Sequence, residues 1–218
     1  MIRKTTTYPK GTMLCAGSLK EKEKVMPAFK PMANALMNQA LQFAIVAHGN
    51  QVRKGNEHIP YIFHCVDVAN EVIYYSGLPV PELEVAAVVA ILHDTVEDTA
   101  VQIRDIRDHF GEQIADGVAA LSKDESIKER NAASKMQQLE ENVARIKAAP
   151  QHVQVVKLAD RNSNLKSFPA MWSREKVGNY LDESAYIARE LGAASGGLHA
   201  RLVSRVADAR VMLSLLSK

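Results

Sequence analysis

Two cysteines in 218 residues, Cys15 and Cys65, are too few to build a disulfide framework for a chain of this size. Their spacing also fits no thiolate metal pattern, so a reducing cytoplasm is the expected setting. Long apolar runs are missing as well: nothing approaches the ~18 residues of a membrane span. The first stretch, MIRKTTTYPKGTMLCAGSLKEKEKV, carries Lys and Arg but no apolar segment of signal-peptide length. A membrane-embedded or conventionally exported protein is therefore not expected. Charge of one sign is scarce too. The formal net charge is +2, so there is no broad field that would demand or exclude a nucleic acid, and any anionic ligand must be met by a local basic cluster. Repeats and low-complexity tracts are absent, and no linker divides the chain.

What is there is the balance of a soluble globular protein, 47% hydrophobic and 24% charged, with enough length for one sizeable core. Residues 1–30 are polar and aperiodic and read as a loose, poorly ordered extension, with Met26 as an alternative start; the domain is placed at 31–218. From Met32 the residues Leu36, Ala40, Phe43, Ala44 and Ala47 recur at helical spacing and end near His48 and Gly49. NQVRKGNEHIPY has turn formers without an apolar period and reads as a loop. The run His64 to Tyr75 is again helical, stopped by Ser76, Gly77 and two prolines. ELEVAAVVAILHD is apolar nearly all round and alanine-rich, which predicts a central buried helix.

Further along, DIRDHFGEQIADGVAAL predicts a short helix pair, KDESIKERNAASK a charged connection, and QLEENVARIKAA an amphipathic helix closed by Pro150. HVQVVKLADRNSNL starts with β-branched residues but has no strand-like run to pair with, so it is assigned to a helix. EKVGNYLDESAYIARELGAA and LHARLVSRVADARVMLSLL, with Leu202, Val206, Ala209, Leu213 and Leu216 in register, predict two closing helices separated by Gly196 and Gly197. The expected fold is all-α, a single bundle-like domain of seven to ten helices.

Four positions put a metal-capable side chain at the boundary of an apolar helix: His64, the pair His93 and Asp94, and Asp160. Taken singly, His64 reads as a core or cap histidine and Asp160 as a cap or ion-pair partner. The string AAVVAILHDTVEDT changes that weighting. It ends the most hydrophobic helix with His93, Asp94, Glu97 and Asp98 within six residues, and on a continuous helix Glu97 lies one turn from His93 and Asp98 one turn from Asp94. Three acids so close repel one another, and a cation relieves them.

The order His64, His93-Asp94, Asp160 resembles the H…HD…D pattern of the HD-domain metal-dependent phosphohydrolases. AHGNQVRKG with PYIFH, then HDTVEDT, then KLADRNSNL, resemble the hydrolase domain of the RelA/SpoT alarmone enzymes, in particular the stand-alone small alarmone hydrolases, over about residues 32–195. That resemblance implies a helical fold and Mn²⁺-dependent removal of the 3′-pyrophosphate of (p)ppGpp. It implies His64, His93, Asp94 and Asp160 as ligands of one metal ion, and Glu97 and Asp98 as the pair that orients water and takes its proton. It places Arg53 and Lys54 on the nucleotide, Asn164 near base and ribose with Ser167 beside it, and Tyr180 in the aromatic wall of the pocket.

By donor type alone, two imidazoles and two carboxylates suit Mn²⁺, Fe²⁺, Mg²⁺ or Zn²⁺, and it is the family that points to Mn²⁺. Cys65 stands where relatives commonly have Pro, which should alter the helix start without removing a ligand. The segment 122–135 fits the family pattern loosely, so guanine-specific contacts are not assigned, and (p)ppApp, NADPH or a catalytically silent nucleotide-binding module remain as other readings. The expected partner is a small nucleotide rather than a nucleic-acid polymer or a membrane, with homo-oligomerisation left open. No synthetase or regulatory region fits in the remaining residues.

Overall fold

A computed structural model describes residues 32–122 and 132–215; the expected loose extension at 1–30, residues 123–131 of the charged connection and Leu216 lie outside the described residues. Among the described residues are ten α-helices and one short ribbon of two strands, in line with the all-α expectation.

Helix α1 (Met32–His48) turns its predicted face inward: Ala40 and Ala44 are fully buried, and Leu36 and Phe43 pack against the same core. The segment after it differs from the expected loop. Strands β1 (Val52–Arg53) and β2 (Asn56–Pro60) pair antiparallel, because Gly55 at φ +85° takes a left-handed conformation open to glycine and reverses the chain beside Lys54. A Cβ there would also lie 2.8 Å from Cα and Cβ of Pro169, so the hairpin tip sits directly on the loop that carries Pro169.

Helix α2 (Ile62–Tyr75) starts two residues before His64, which puts Cys65 inside the first turn rather than at its edge. Cys65 is fully buried, its thiol pushed up to about 11 by burial and its Sγ 3.8 Å from His48 Nε2. Helix α3 (Val80–Leu92) is the predicted central helix, with every residue from Ala86 to Leu92 buried, and it packs against α1, α2, α6 (Glu112–Leu121) and α8 (Gln151–Asn164). Between α3 and α6 lie the four-residue α4 (Thr95–Asp98) and α5 (Ile103–Phe110).

Helix α7 (Ala132–Ala148) closes at Pro150, and α8 then runs through the β-branched stretch as a helix. Tertiary burial overrides strand propensity there: Val153, Val155, Val156, Leu158 and Ala159 are all in the core. Helices α9 (Arg174–Leu191) and α10 (Gly196–Leu215) pack on each other, joined by a 3₁₀ turn at Gly192–Ala194. The glycine pair opens α10 instead of separating it from α9. Gly197 is needed there because a Cβ would collide with the Tyr75 carbonyl, onto which α10 docks.

Candidate metal and nucleotide site

Three helix segments converge on one point. The first turn of α2 supplies His64, the two residues just past α3 are His93 and Asp94, and the C-terminal half of α8 supplies Asp160. His64 Nε2 lies 3.5 Å from Asp94 Oδ2 and 3.3 Å from Asp160 Oδ1; His93 Nε2 lies 3.0 Å from Asp94 Oδ2 and 3.8 Å from Asp160 Oδ1. The donor atoms of His64, His93 and Asp94 all fall within 4.8 Å of one another, and Asp160 completes the ring.

The chain breaks where sequence periodicity predicts one continuous helix. Helix α3 stops at Leu92, and Asp94 at φ −96°, ψ −6° opens α4. Thr95 causes the break, donating its hydroxyl proton to the Leu92 carbonyl at 2.6 Å and so satisfying an end-of-helix acceptor. Glu97 and Asp98 still line the same cavity as the histidines, but on a separate short helix, which Gln51 holds by donating to the Asp98 carbonyl at 2.6 Å.

His93 shows what the cluster can hold. Its Nδ1 is 2.8 Å from the Ala90 carbonyl, which only accepts, so Nδ1 carries a proton and Nε2 is the donor-atom end of the neutral ring. That Nε2 is buried and has no hydrogen-bond partner; Asp94 Oδ2 lies 3.0 Å away, and a carboxylate oxygen offers a ring lone pair no proton. A buried nitrogen aimed at two carboxylates and a second imidazole, with no partner of its own, fits a divalent cation.

The electrostatics agree. Burial alone would raise Asp94 and Asp160, yet the imidazoles of His93 and His64, with Lys157 3.3 Å from Asp160, hold both carboxyls well below the usual range. Burial alone would lower His93, yet Asp94 and Asp160 hold it well above its ordinary value. The cluster draws in positive charge, and a metal ion would take the place of that proton.

The four side chains stand at the wall of a cavity of about 1160 Å³. Arg53 and Lys54 from the hairpin, Glu97 and Asp98 from α4, Asn164, Ser167, and Tyr180 from α9 line it too, so every candidate ligand, catalytic and nucleotide-contacting residue named from the sequence reaches one space. Arg53 Nη2 donates to Asn164 Oδ1 at 2.8 Å, and Asn164 Nδ2 donates to Asp160 Oδ1 at 2.5 Å. A hairpin cation is thereby tied to a candidate metal ligand through a single amide. Tyr180 is less free than a bare wall: Arg161 lies 4.2 Å over its ring, Trp172 meets it edge-on at 5.3 Å, and burial pushes its hydroxyl up to about 12.

Sequence reasoning overlooked Tyr61. Its hydroxyl donates to Asp94 Oδ2 at 2.6 Å, and burial together with the Asp94 charge raises its pKa, so it stays a donor. The only signal was its place in PYIFH, three residues before His64. Arg161 and Trp172 were overlooked as well, since a buried arginine beside Asp160 looks like helix surface until α9 covers it.

The HD domain family matches residues 40–195. The guanosine-3′,5′-bis(diphosphate) 3′-pyrophosphohydrolase MESH1 of Xenopus tropicalis is 30% identical over 172 residues, 77% of this chain and 91% of that protein, and MESH1 of Homo sapiens is 30% identical over 72% of this chain and 85% of its own length. The GTP pyrophosphokinase rsh of Brucella suis is 33% identical over 68% of this chain but 19% of its own length. A solved structure of a metazoan ortholog of SpoT, described as hydrolysing ppGpp and acting in starvation responses, shares the fold at a TM-score of 0.70 with 23% identity, over 80% of this chain and 95% of that one. With the helical core, the His/Asp cluster and these matches in agreement, the chain belongs to the HD-domain family, within the group that contains MESH1.

Proposed function

We propose that this protein is a metal-dependent pyrophosphohydrolase that removes the 3′-pyrophosphate of (p)ppGpp, giving GDP or GTP and pyrophosphate. The observation that carries the reading is the unpartnered, buried Nε2 of His93, facing two carboxylates and a second imidazole on the wall of a nucleotide-sized cavity with a basic hairpin at its rim. In this reading His64, His93, Asp94 and Asp160 hold the divalent ion, which we take to be Mn²⁺. When bound, the ion supplies Lewis acidity toward a phosphate oxygen and an acidified water.

The chain's own residues do the rest. Glu97 and Asp98 orient the attacking water, and Glu97 accepts its proton. Arg53 and Lys54 bring positive charge to the nucleotide, and Asn164, Ser167 and Tyr180 shape the pocket around base and ribose. The hydrolase domain is assigned to residues 31–218, with 1–30 as an extension, and the cytoplasm is the proposed location. No helix among the described residues is long and apolar enough to cross a membrane.

The test incubates purified protein with ppGpp, pppGpp, ppApp or NADPH, with and without Mn²⁺, and follows pyrophosphate and orthophosphate separately. Mn²⁺-dependent pyrophosphate release from the guanine alarmones is expected. Release from ppApp alone would move the substrate to adenine, orthophosphate from NADPH alone would replace the reaction, and nucleotide binding without turnover would make the protein a sensor. Glu97→Gln should keep metal and nucleotide binding while losing turnover by about 10²–10⁴-fold, the span of general-base contributions.

A further inference from the structure

We infer that Ser163 and Asp67 are positioning residues for His64, a hydrogen-bonded pair that fixes which imidazole nitrogen faces the metal. The inference rests on the metal-site reading above. His64 and Asp67 sit three apart on α2, and Asp160 and Ser163 sit three apart on the facing α8, so each helix presents one candidate ligand and one support from the same face. Ser163 Oγ lies 2.6 Å from Asp67 Oδ2 and 3.1 Å from His64 Nδ1, and Lys166 Nζ lies 2.5 Å from Asp67 Oδ1.

The direction of each bond follows from proton counting. Burial would raise Asp67, but the hydrogen bonds from Lys166 and Ser163 outweigh it and hold the carboxyl below its ordinary value, so it accepts only. The single Ser163 proton is therefore committed to Asp67. The Ser163 oxygen can then meet His64 Nδ1 only as an acceptor, which requires the imidazole proton on Nδ1. Nε2 is left with its lone pair, and Nε2 is the atom 3.3 Å from Asp160 and 3.5 Å from Asp94. The opposite tautomer would set the Asp67 and Ser163 oxygens 2.6 Å apart with no proton between them.

His93 obtains the same tautomer from the Ala90 carbonyl of its own helix. The carbonyl three residues before His64, that of Tyr61, accepts the His64 backbone N–H at 2.8 Å, and the ring takes its partner from another element. Side chains that hold a ligating histidine in this way typically account for about 10–100-fold in metal affinity.

The experiment uses the full chain stripped of metal. Wild type, Ser163→Ala, Ser163→Thr and Asp67→Asn are titrated with Mn²⁺ by calorimetry, and the imidazole nitrogens of the metal-free and Zn²⁺-loaded forms are read by ¹⁵N NMR. Wild type should show His64 protonated on Nδ1. Ser163→Ala should bind Mn²⁺ about 10–100-fold more weakly and show a mixed tautomer in the metal-free form. Ser163→Thr, which keeps the hydroxyl, should restore both, and Asp67→Asn should fall between, with circular dichroism confirming that each variant is folded.

A wild-type His64 protonated on Nε2, or wild-type Mn²⁺ affinity in Ser163→Ala, overturns the inference. A wild-type protein that binds no divalent ion overturns the metal site and this inference together. A wild type that binds the ion but cleaves no alarmone overturns only the proposed reaction, because neither readout here uses a nucleotide.

Discussion

Glu71 is 2% exposed on α2 and faces three cations, and its removal gives the sharpest test of how the helices are held around the site. Arg201 Nε reaches Oε2 at 3.0 Å, while Arg205 Nη2 and Lys166 Nζ reach Oε1 at 2.9 and 3.0 Å. Two of these cations come from α10 and one from the turn just after α8, so a single carboxylate ties three segments together. Breaking a buried ion pair by deleting one partner typically costs about 3–5 kcal/mol. Here Arg201, Arg205 and Lys166 keep 30%, 21% and 39% of their side-chain surface and can turn toward water, and Lys166 keeps Asp67. Glu71→Ala should therefore cost about 2–4 kcal/mol, about 1 kcal/mol below the range for a fully buried pair. At about 2–4 °C per kcal/mol for a domain of this size, the Tm should fall by roughly 4–16 °C. Glu71→Gln, which keeps the volume and one acceptor, should cost about 1–2 kcal/mol as a charged hydrogen bond becomes a neutral one.

The assay is urea denaturation of wild type and both variants between pH 3.5 and 7, with m compared to confirm a common unfolded state. Burial works to raise the Glu71 pKa, but Arg201 and Lys166 hold it below 4.5 in the folded protein. A depressed carboxylate contributes stability that is present above its unfolded pKa and lost as pH falls through the folded one. The gap between wild type and Glu71→Gln should thus be full at pH 6–7 and shrink below about pH 4.5. A gap that stays constant across that range, or one under about 0.5 kcal/mol at neutral pH, where ordinary surface changes fall, would refute the argument.

Gly55→Ala forces a Cβ onto Pro169 from a left-handed backbone, so it should lower stability by about 1–2 kcal/mol and raise KM more than it lowers kcat, as steady-state kinetics will read, by displacing Arg53 and Lys54. Tyr61→Phe removes the 2.6 Å hydrogen bond to Asp94 and should weaken Mn²⁺ binding about 10-fold by calorimetry with little loss of packing. Burial lowers the pKa of His152, against a smaller opposing pull from Glu82, so the unfolded chain binds more protons just below pH 6.5. Stability should decline as pH falls through that region, and His152→Gln should flatten that part of the urea-midpoint profile.

How far the site could be read from the chain depends on which interactions are local. Helix α3 was legible because seven consecutive buried residues leave no polar face to misassign, and the HD pair at its end is conspicuous against that background. Helix α8 was legible for a different reason: its β-branched start had no strand to pair with. The hairpin at 52–60 was hidden because its two strands carry no alternation, and its turn depends on the left-handed backbone of one glycine seated on Pro169. The α3–α4 break was hidden because HDTVED continues the helical spacing; what interrupts it is a threonine hydroxyl that competes for a carbonyl.

Tyr61, Asp67 and Ser163 were illegible in a stricter sense. A tyrosine three residues before a histidine, an aspartate three after it, and a serine three after Asp160 are ordinary helix polar residues until α2 and α8 lie side by side. Their meaning is tertiary, since each takes its role from an atom on another element. The two histidines make the contrast plain: His93 finds its supporting carbonyl three residues back in its own helix, whereas the His64 ring meets a hydroxyl from a residue 99 positions away. A ligand at the end of a helix can be held by that helix. At His64 the carbonyl three residues back, that of Tyr61, takes the backbone N–H at 2.8 Å while the ring turns to Ser163 on the neighbouring helix, so the tautomer of this histidine is set across two elements.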